Sequence, residues 1–254
     1  MTNNYHLYDS VASKICDCHV HFGQFREDYY SPNEIINWFD QLGISKVGIM
    51  PISMQSNFNQ DIKTMSKLPS KRFIPYLWVN PEMVDADCSL NQYNELNYKV
   101  LKIHAYARKE WYLMPDKIRS VIHVAYLRNI PVMFHTGGWI GSNAIQYYKF
   151  CREFPEVNFI LAHGKPISQT ITVLKGSKNV YVDNSFMDIE SMKIICETGL
   201  SDRILFGTDF PIMKSFWPEI NLIDWYRNNI IELIDIFGER NFTVWSNENF
   251  NKLI

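Results

Sequence analysis

The sequence predicts a closed (β/α)8 barrel in a single domain spanning residues 1–254. Three observations carry that expectation. Short apolar runs rich in β-branched residues alternate with longer amphipathic stretches, the pattern of parallel strands joined by right-handed crossovers. Eight such pairs recur at a spacing of about 30 residues. The chain of 254 residues also matches the ~250 typical of that barrel. A doubly wound sheet uses the same alternation, but eight units in this length favour closure.

The strand runs are Lys14–Phe22, Lys46–Pro51, Arg72–Val79, Tyr98–His104, Ile130–His135, Val157–His163, Val180–Ser185 and Arg203–Thr208. Several intervening stretches open on a capping or first-turn proline signal. Ser31-Pro32 leads into Glu34–Gln41, where Ile35, Trp38, Phe39 and Leu42 fall in a helical stripe. Met114-Pro115-Asp116 leads into Ile118–Arg128, with Val121, Ile122, Ala125 and Tyr126 in register. Ser142-Asn143 precedes a helix over Ala144–Phe154, and Asp188 precedes Ile189–Thr198, which stops at Gly199. Pro218 starts a longer helix with Ile220, Ile223, Ile230 and Leu233 among its apolar positions. Asn80-Pro81 and Met50-Pro51 mark strand exits into loops.

Composition narrows the function classes. Hydrophobic residues are 46% and charged residues 20%, enough apolar content for a sizeable core. The net charge of −2 and a pI near 6.4, without a basic run, argue against nucleic-acid binding. No stretch approaches the roughly 18 apolar residues of a membrane span, and the polar N-terminus is unlike a secretory signal. Five cysteines without a paired framework point to a reduced, cytoplasmic protein. The expected partner is therefore a small molecule.

In a (β/α)8 barrel, function belongs to the C-terminal ends of the strands. Strand 1 ends in Asp17-Cys18-His19-Val20-His21, and simple alternation places Asp17, His19 and His21 on one face. Cys16 and Cys18 then face the other way, as core residues. Strand 4 ends in Lys102-Ile103-His104, strand 5 in His135-Thr136-Gly137-Gly138, strand 6 in His163-Gly164 and strand 8 in Thr208-Asp209-Phe210. Five of the seven histidines thus fall at strand ends, which chance placement of core histidines explains poorly. Neutral imidazoles with one carboxylate suit a divalent cation: zinc best, with manganese, iron or cobalt open. Such a cation acidifies a bound water to a pKa of about 7 or polarises a carbonyl, and a further histidine can move the proton.

Asp17-Cys18-His19-Val20-His21 resembles the opening D-x-H-x-H signature of the amidohydrolase superfamily. The whole chain is similar to its amidohydrolase 2 branch, which includes aminocarboxymuconate-semialdehyde decarboxylase. The supporting segments follow in order: Leu101–His104, Pro131–Gly137, Asn158–Gly164, Asp202–Pro211 and the closing Ser246–Ile254. The resemblance implies a metal held by His19, His21, His135 and Asp209, with water completing the site. It implies that His163 activates that water, and that Asp209 also accepts a proton. Three readings of Lys102 stand: a carboxylated bridge between two metals, a cation that contacts substrate beside His104, or a partner of Asp17 or another acid near the barrel mouth. Relatives are commonly dimeric, so the resemblance leaves room for a homodimer.

Arg26, Arg108 and Lys165 follow strands 1, 4 and 6, where they are candidates for holding an anionic substrate or are solvated loop charges. Trp139 and Phe210 are candidate pocket walls or ordinary packing residues. The leading function is metal-dependent hydrolysis of an ester, lactone or amide. Non-oxidative decarboxylation of a small aromatic or muconate-like acid uses the same ligands and is the alternative. A barrel that binds metal or ligand without catalysis is the third reading.

Overall fold

In the computed structural model, residues 5–52, 57–85 and 90–254 are described. The chain forms two compact units, Met1–Ile74 with Leu205–Lys252, and Pro75–Ile204 with Leu253–Ile254. In chain order the strands are β1 (Cys16–Phe25), β2 (Asp28–Tyr30), β3 (Lys46–Pro51), β4 (Phe73–Val79), β5 (Val100–Ile103), β6 (Val132–His135), β7 (Phe159–Ala162), β8 (Val180–Asp183) and β9 (Ile204–Leu205). Eight of them correspond to the eight expected runs. The exception is β2, a short strand that folds back antiparallel on β1.

In the first unit, β1 runs parallel to β3 and is buried from Cys16 to Phe22, as a strand covered on both faces must be. The pairing slips once. Asp17 opposes Val47 while Val20 opposes Ile49, so three steps along β1 cover two along β3. The extra residue is a bulge. Paired residues point to the same side of a sheet, and Val47 and Ile49 are two apart. Asp17 and Val20 therefore share one face, and His21, opposite Met50, lies on the other. This corrects the expectation that Asp17 sits beside His19 and His21: the bulge breaks the alternation on which it rested.

The helix Pro32–Leu42 begins where the sequence signals it. Ser31 Oγ accepts from the Glu34 amide at 3.2 Å, and the Glu34 carboxylate accepts from the Ser31 amide at 2.8 Å. Gly43, at φ +67°, ends it in the left-handed conformation. Ile35, Phe39 and Leu42 are buried, each stabilising the unit by about 1.5–3 kcal/mol. The last long helix starts at Leu222, four residues beyond the expected Pro218. Asn221 Oδ1 caps it by accepting from the Ile223 and Asp224 amides, both at 3.1 Å. Its Tyr226 packs edge-on against Phe39 and Phe210.

In the second unit, β4 through β8 form parallel neighbours in sequence order. The helix Pro115–Arg128 buries Val121, Ile122 and Ala125, as its apolar spacing predicts. The stretch Ala144–Phe154 is shorter as a helix than expected: a 3₁₀ turn over Ala144–Tyr147 precedes the α-helix Tyr148–Glu153. Tyr147 and Phe159 stack on either side of Phe134, with centroids 4.1 and 5.7 Å away. Among the described residues, no helix is long and apolar enough to cross a membrane.

Candidate functional site

In the first unit, the end of β1 meets the segment that follows β9. The Cys18 amide donates to the Phe206 carbonyl at 2.9 Å and the His21 amide to the Phe210 carbonyl at 2.7 Å. Between these two anchors, Asp209 takes a left-handed backbone, φ +56°. Such a conformation is uncommon outside glycine and concentrates at functional sites. Here it accompanies an Asp209 carboxylate that lies against both histidines of β1.

The resulting cluster is tight and buried. His19 Nε2 and His21 Nε2 are 3.1 Å apart, and Asp209 Oδ1 lies 3.3 Å from the first and 3.0 Å from the second. Ligand atoms of a tetrahedral zinc with bonds of about 2.0 Å are about 3.3 Å apart. The donor set, two imidazole nitrogens and one carboxylate oxygen, fits a divalent cation in spacing and chemistry. A cation would also compensate the buried carboxylate charge.

Asp17 supports this cluster from the opposite face of β1. It accepts from the His19 amide at 3.0 Å, the Thr208 amide at 3.2 Å, the Thr208 hydroxyl at 2.6 Å and the Tyr226 hydroxyl at 3.0 Å. Burial pushes its carboxyl up to about 7, and the donors around it oppose that rise.

The second unit holds another histidine cluster at the ends of β5, β6 and β7. His104 and His135 stack at 3.7 Å between ring centroids, and Trp78 covers the other face of His104 at 4.8 Å. His104 Nδ1 accepts from the Ala107 amide at 3.1 Å, so the neutral ring carries its proton on Nε2. His163 Nε2 lies 3.1 Å from His135 Nδ1. His163 is also left-handed, at φ +68°, and Asp183 Oδ1 accepts from its amide at 3.3 Å. Lys102 is buried on β5, beside Trp78 of β4 and Met133 of β6 in register.

The remaining candidates separate by their contacts. Arg26 lies over the Phe216 ring at 4.6 Å, with φ +54°. Arg108 pairs with Glu82 at 3.3 Å on a half-exposed surface. Lys165 packs its stem where a Cβ on Gly137 would sit, 2.8 Å away. Trp139 is half-buried against Tyr112, centroids 5.5 Å apart. Phe210 is fully buried among Trp38, Phe39 and Tyr226 and so is core, not pocket wall. Cys16 and Cys18 are buried and form no disulfide, in line with a core role.

The amidohydrolase model Amidohydro_2 matches residues 16–226, most of the chain and both histidine clusters. The chain belongs to the amidohydrolase 2 family. No curated protein sequence matches it. Among solved structures, this amidohydrolase is similar to a probable 2-pyrone-4,6-dicarboxylic acid hydrolase from Acinetobacter baumannii with citric acid bound. That pair has 13% identity and a TM-score of 0.70, covering 94% of this chain and 98% of the other. An amidohydrolase from Burkholderia multivorans with bound zinc aligns at 8% identity and a TM-score of 0.68, covering 94% and 98%. An uncharacterized TIM-barrel protein from Bordetella bronchiseptica aligns at 17% identity and a TM-score of 0.65, covering 88% and 82%. The fold is the TIM barrel that the strand–helix alternation predicts.

Sequence reasoning passed over Asp183, the last residue of β8, and Ser185, two residues beyond it, both of which contact His163. The signal was there: an Asp-Asn-Ser run closing an apolar strand, at the same end as the histidines. Without a histidine of its own, that run carried no metal-ligand pattern.

Proposed function

We propose that this amidohydrolase is a divalent-metal-dependent hydrolase of a small carboxylic ester, in the first instance a lactone. The observation that carries the reading is the convergence of His19, His21 and Asp209 within 3.0–3.3 Å of one another in a buried position. The family resemblance adds His135 as a fourth ligand. A bound zinc or similar ion would supply Lewis acidity, lowering the pKa of water to about 7 and stabilising charge on a carbonyl oxygen.

The chain's own groups divide the remaining work. His163 takes the proton of the attacking water at Nε2, and Asp209 is a second acceptor for it. His104 presents its Nε2–H as a hydrogen-bond donor to substrate. Lys102 supplies a buried cation for a substrate carboxylate or carbonyl. Arg108 is available as a second anion contact, since its surface pair with Glu82 is worth only about 0–1 kcal/mol and yields to a better partner. Arg26 is a further anion contact and Trp139 a wall. The named relative with a dicarboxylated pyrone as its probable substrate supports a lactone with attached carboxylates. Decarboxylation by the same ligands is not favoured, because the reactions named for similar structures include hydrolysis of a pyrone dicarboxylate and a hydration.

The test is metal content on purified protein, followed by a screen of 2-pyrones and simple lactones against amides and phosphoesters. The expected result is about one zinc or manganese per chain and lactone hydrolysis that chelation stops. Activity that persists after complete chelation overturns the metal reading, and turnover confined to phosphoesters or amides overturns the lactone one.

A further inference from the structure

The contacts of His163 point beyond its own role to the residues that set its protonation geometry. Its Nδ1 lies 2.8 Å from Ser185 Oγ and 3.2 Å from the Ser185 carbonyl oxygen. A carbonyl oxygen only accepts, so the ring nitrogen facing it must donate. The hydroxyl agrees. Ser185 Oγ donates its own proton to Asp183 Oδ1 and therefore meets Nδ1 as an acceptor. Asp183 is fully buried, and the same oxygen takes the Ser185 amide at 3.0 Å and the His163 amide at 3.3 Å. One carboxylate oxygen thus gathers the backbone of the left-handed His163 and both donors of the serine.

We infer that Ser185 and Asp183 are positioning residues that lock neutral His163 in the Nδ1–H tautomer, so that Nε2 is its unprotonated nitrogen and accepts from His135 Nδ1, 3.1 Å away. The chain of donors runs one way, from His163 Nδ1–H to Ser185 Oγ and from Ser185 Oγ–H to Asp183. Reversing it would turn the Nδ1 lone pair onto the Ser185 carbonyl oxygen and leave the Asp183 oxygen without its serine donor. The arrangement parallels the way outer hydrogen bonds choose the tautomer of a functional imidazole. The consequence for catalysis, that Nε2 is the nitrogen able to take up a proton, rests on the hydrolase reading above; the tautomer itself does not.

The experiment is two-bond proton–nitrogen correlation NMR on the full chain labelled with 15N-histidine, at a pH where the imidazoles are neutral. His163→Gln assigns the signals. The expected wild-type pattern is a pyrrole-type Nδ1 and a pyridine-type Nε2 for His163. Ser185→Ala removes the hydroxyl but keeps the backbone carbonyl, so it should move both nitrogens part of the way toward the averaged values of two exchanging tautomers, and Ser185→Thr should restore the wild-type pattern. A pyridine-type Nδ1 in the wild type, or a Ser185→Ala spectrum identical to it, overturns the proposal. The wild-type spectrum decides even if the alanine variant does not fold. The readout needs no substrate, so failure of the lactone screen and failure of the tautomer assignment are separate results.

Discussion

Thr208 grips Asp17 twice: its hydroxyl donates to one carboxylate oxygen at 2.6 Å and its amide to the other at 3.2 Å. Through this clasp a buried acid on β1 holds the residue immediately before Asp209. The Thr208 hydroxyl also accepts from the Phe210 amide at 3.2 Å, so both neighbours of Asp209 are tied to the same pair. The left-handed Asp209 is the residue left to project toward His19 and His21.

Asp17→Asn should therefore damage both stability and metal binding. Four donors converge on the carboxylate, and an amide offers one acceptor oxygen and an NH2 that opposes the rest. Loss of this buried network should cost about 2–4 kcal/mol, measured by urea unfolding. The pH dependence has a definite sign. A carboxyl that titrates near 7 when folded and near 4 when unfolded binds more protons in the folded state between those values. Stability of the chelated protein should fall by a few kcal/mol from pH 4 to pH 7 through this group and level off above. Asp17→Asn should lack that component. An identical pH slope in the two proteins would show that Asp17 is already ionised throughout.

Zinc should stabilise the wild-type protein by mass action, by about 4 kcal/mol when free metal is a thousandfold above its dissociation constant. His19→Ala and Asp209→Asn each remove one corner of the cluster whose atoms are 3.0–3.3 Å apart. Both variants should stay folded, lose the zinc-dependent rise in thermal midpoint and fall to about a hundredth of wild-type activity or less. His163→Gln should keep the zinc-dependent rise while losing most of the rate. Calorimetry with and without zinc separates the two classes, and loss of the zinc effect in His163→Gln would make His163 a ligand.

The order of strands and the residues at their ends were legible because the apolar runs are strong and the polar groups that interrupt them are few. His19, His21 and Asp209 stand at strand ends for that reason, and the resemblance to the amidohydrolase signature groups them as ligands. What the pattern concealed depends on partners distant in sequence. The bulge in β1 exists only in its pairing with β3, so no reading of Asp17–His21 alone could place Asp17 on the other face. The short β2 hairpin is set by turn geometry around Arg26, where the Gln24 amide reaches the carbonyls of Arg26 and Asp28 at 2.8 and 3.0 Å. Phe210 resembled a pocket wall by position, yet three aromatic rings from two helices enclose it.

Lys102 separates the one-metal and two-metal readings. If it contacts substrate, Lys102→Met should keep about one metal per chain and raise KM for a carboxylated lactone by 10-fold or more, roughly the 1.4 kcal/mol or more of a lost charged contact. Methionine is a reasonable volume match for its buried position. If it is a carboxylated bridge, growth with 13C-bicarbonate should reveal a carbamate signal, and the substitution should halve the metal content. The expected outcome is no carbamate signal and an unchanged metal count.

Gly164 tests how closely the backbone at His163 is specified. It follows His163 in a second left-handed step, φ +55°, and a Cβ there would lie 2.6 Å from both Met187 Cε and Val182 Cγ2. The methionine end can yield, but Val182 belongs to β8 and is fully buried. Alanine at 164 therefore meets a steric cost as well as an unfavourable φ, together about 2–4 kcal/mol. Relief would require β7 and β8 to separate, and the hydrogen bond from the His163 amide to Asp183 crosses between their ends. Gly164→Ala should thus lower the urea midpoint and slow turnover, while zinc still raises its thermal midpoint, because His19, His21 and Asp209 lie on other segments. A variant with wild-type stability and rate would show that the β7–β8 junction has more slack than its contacts indicate.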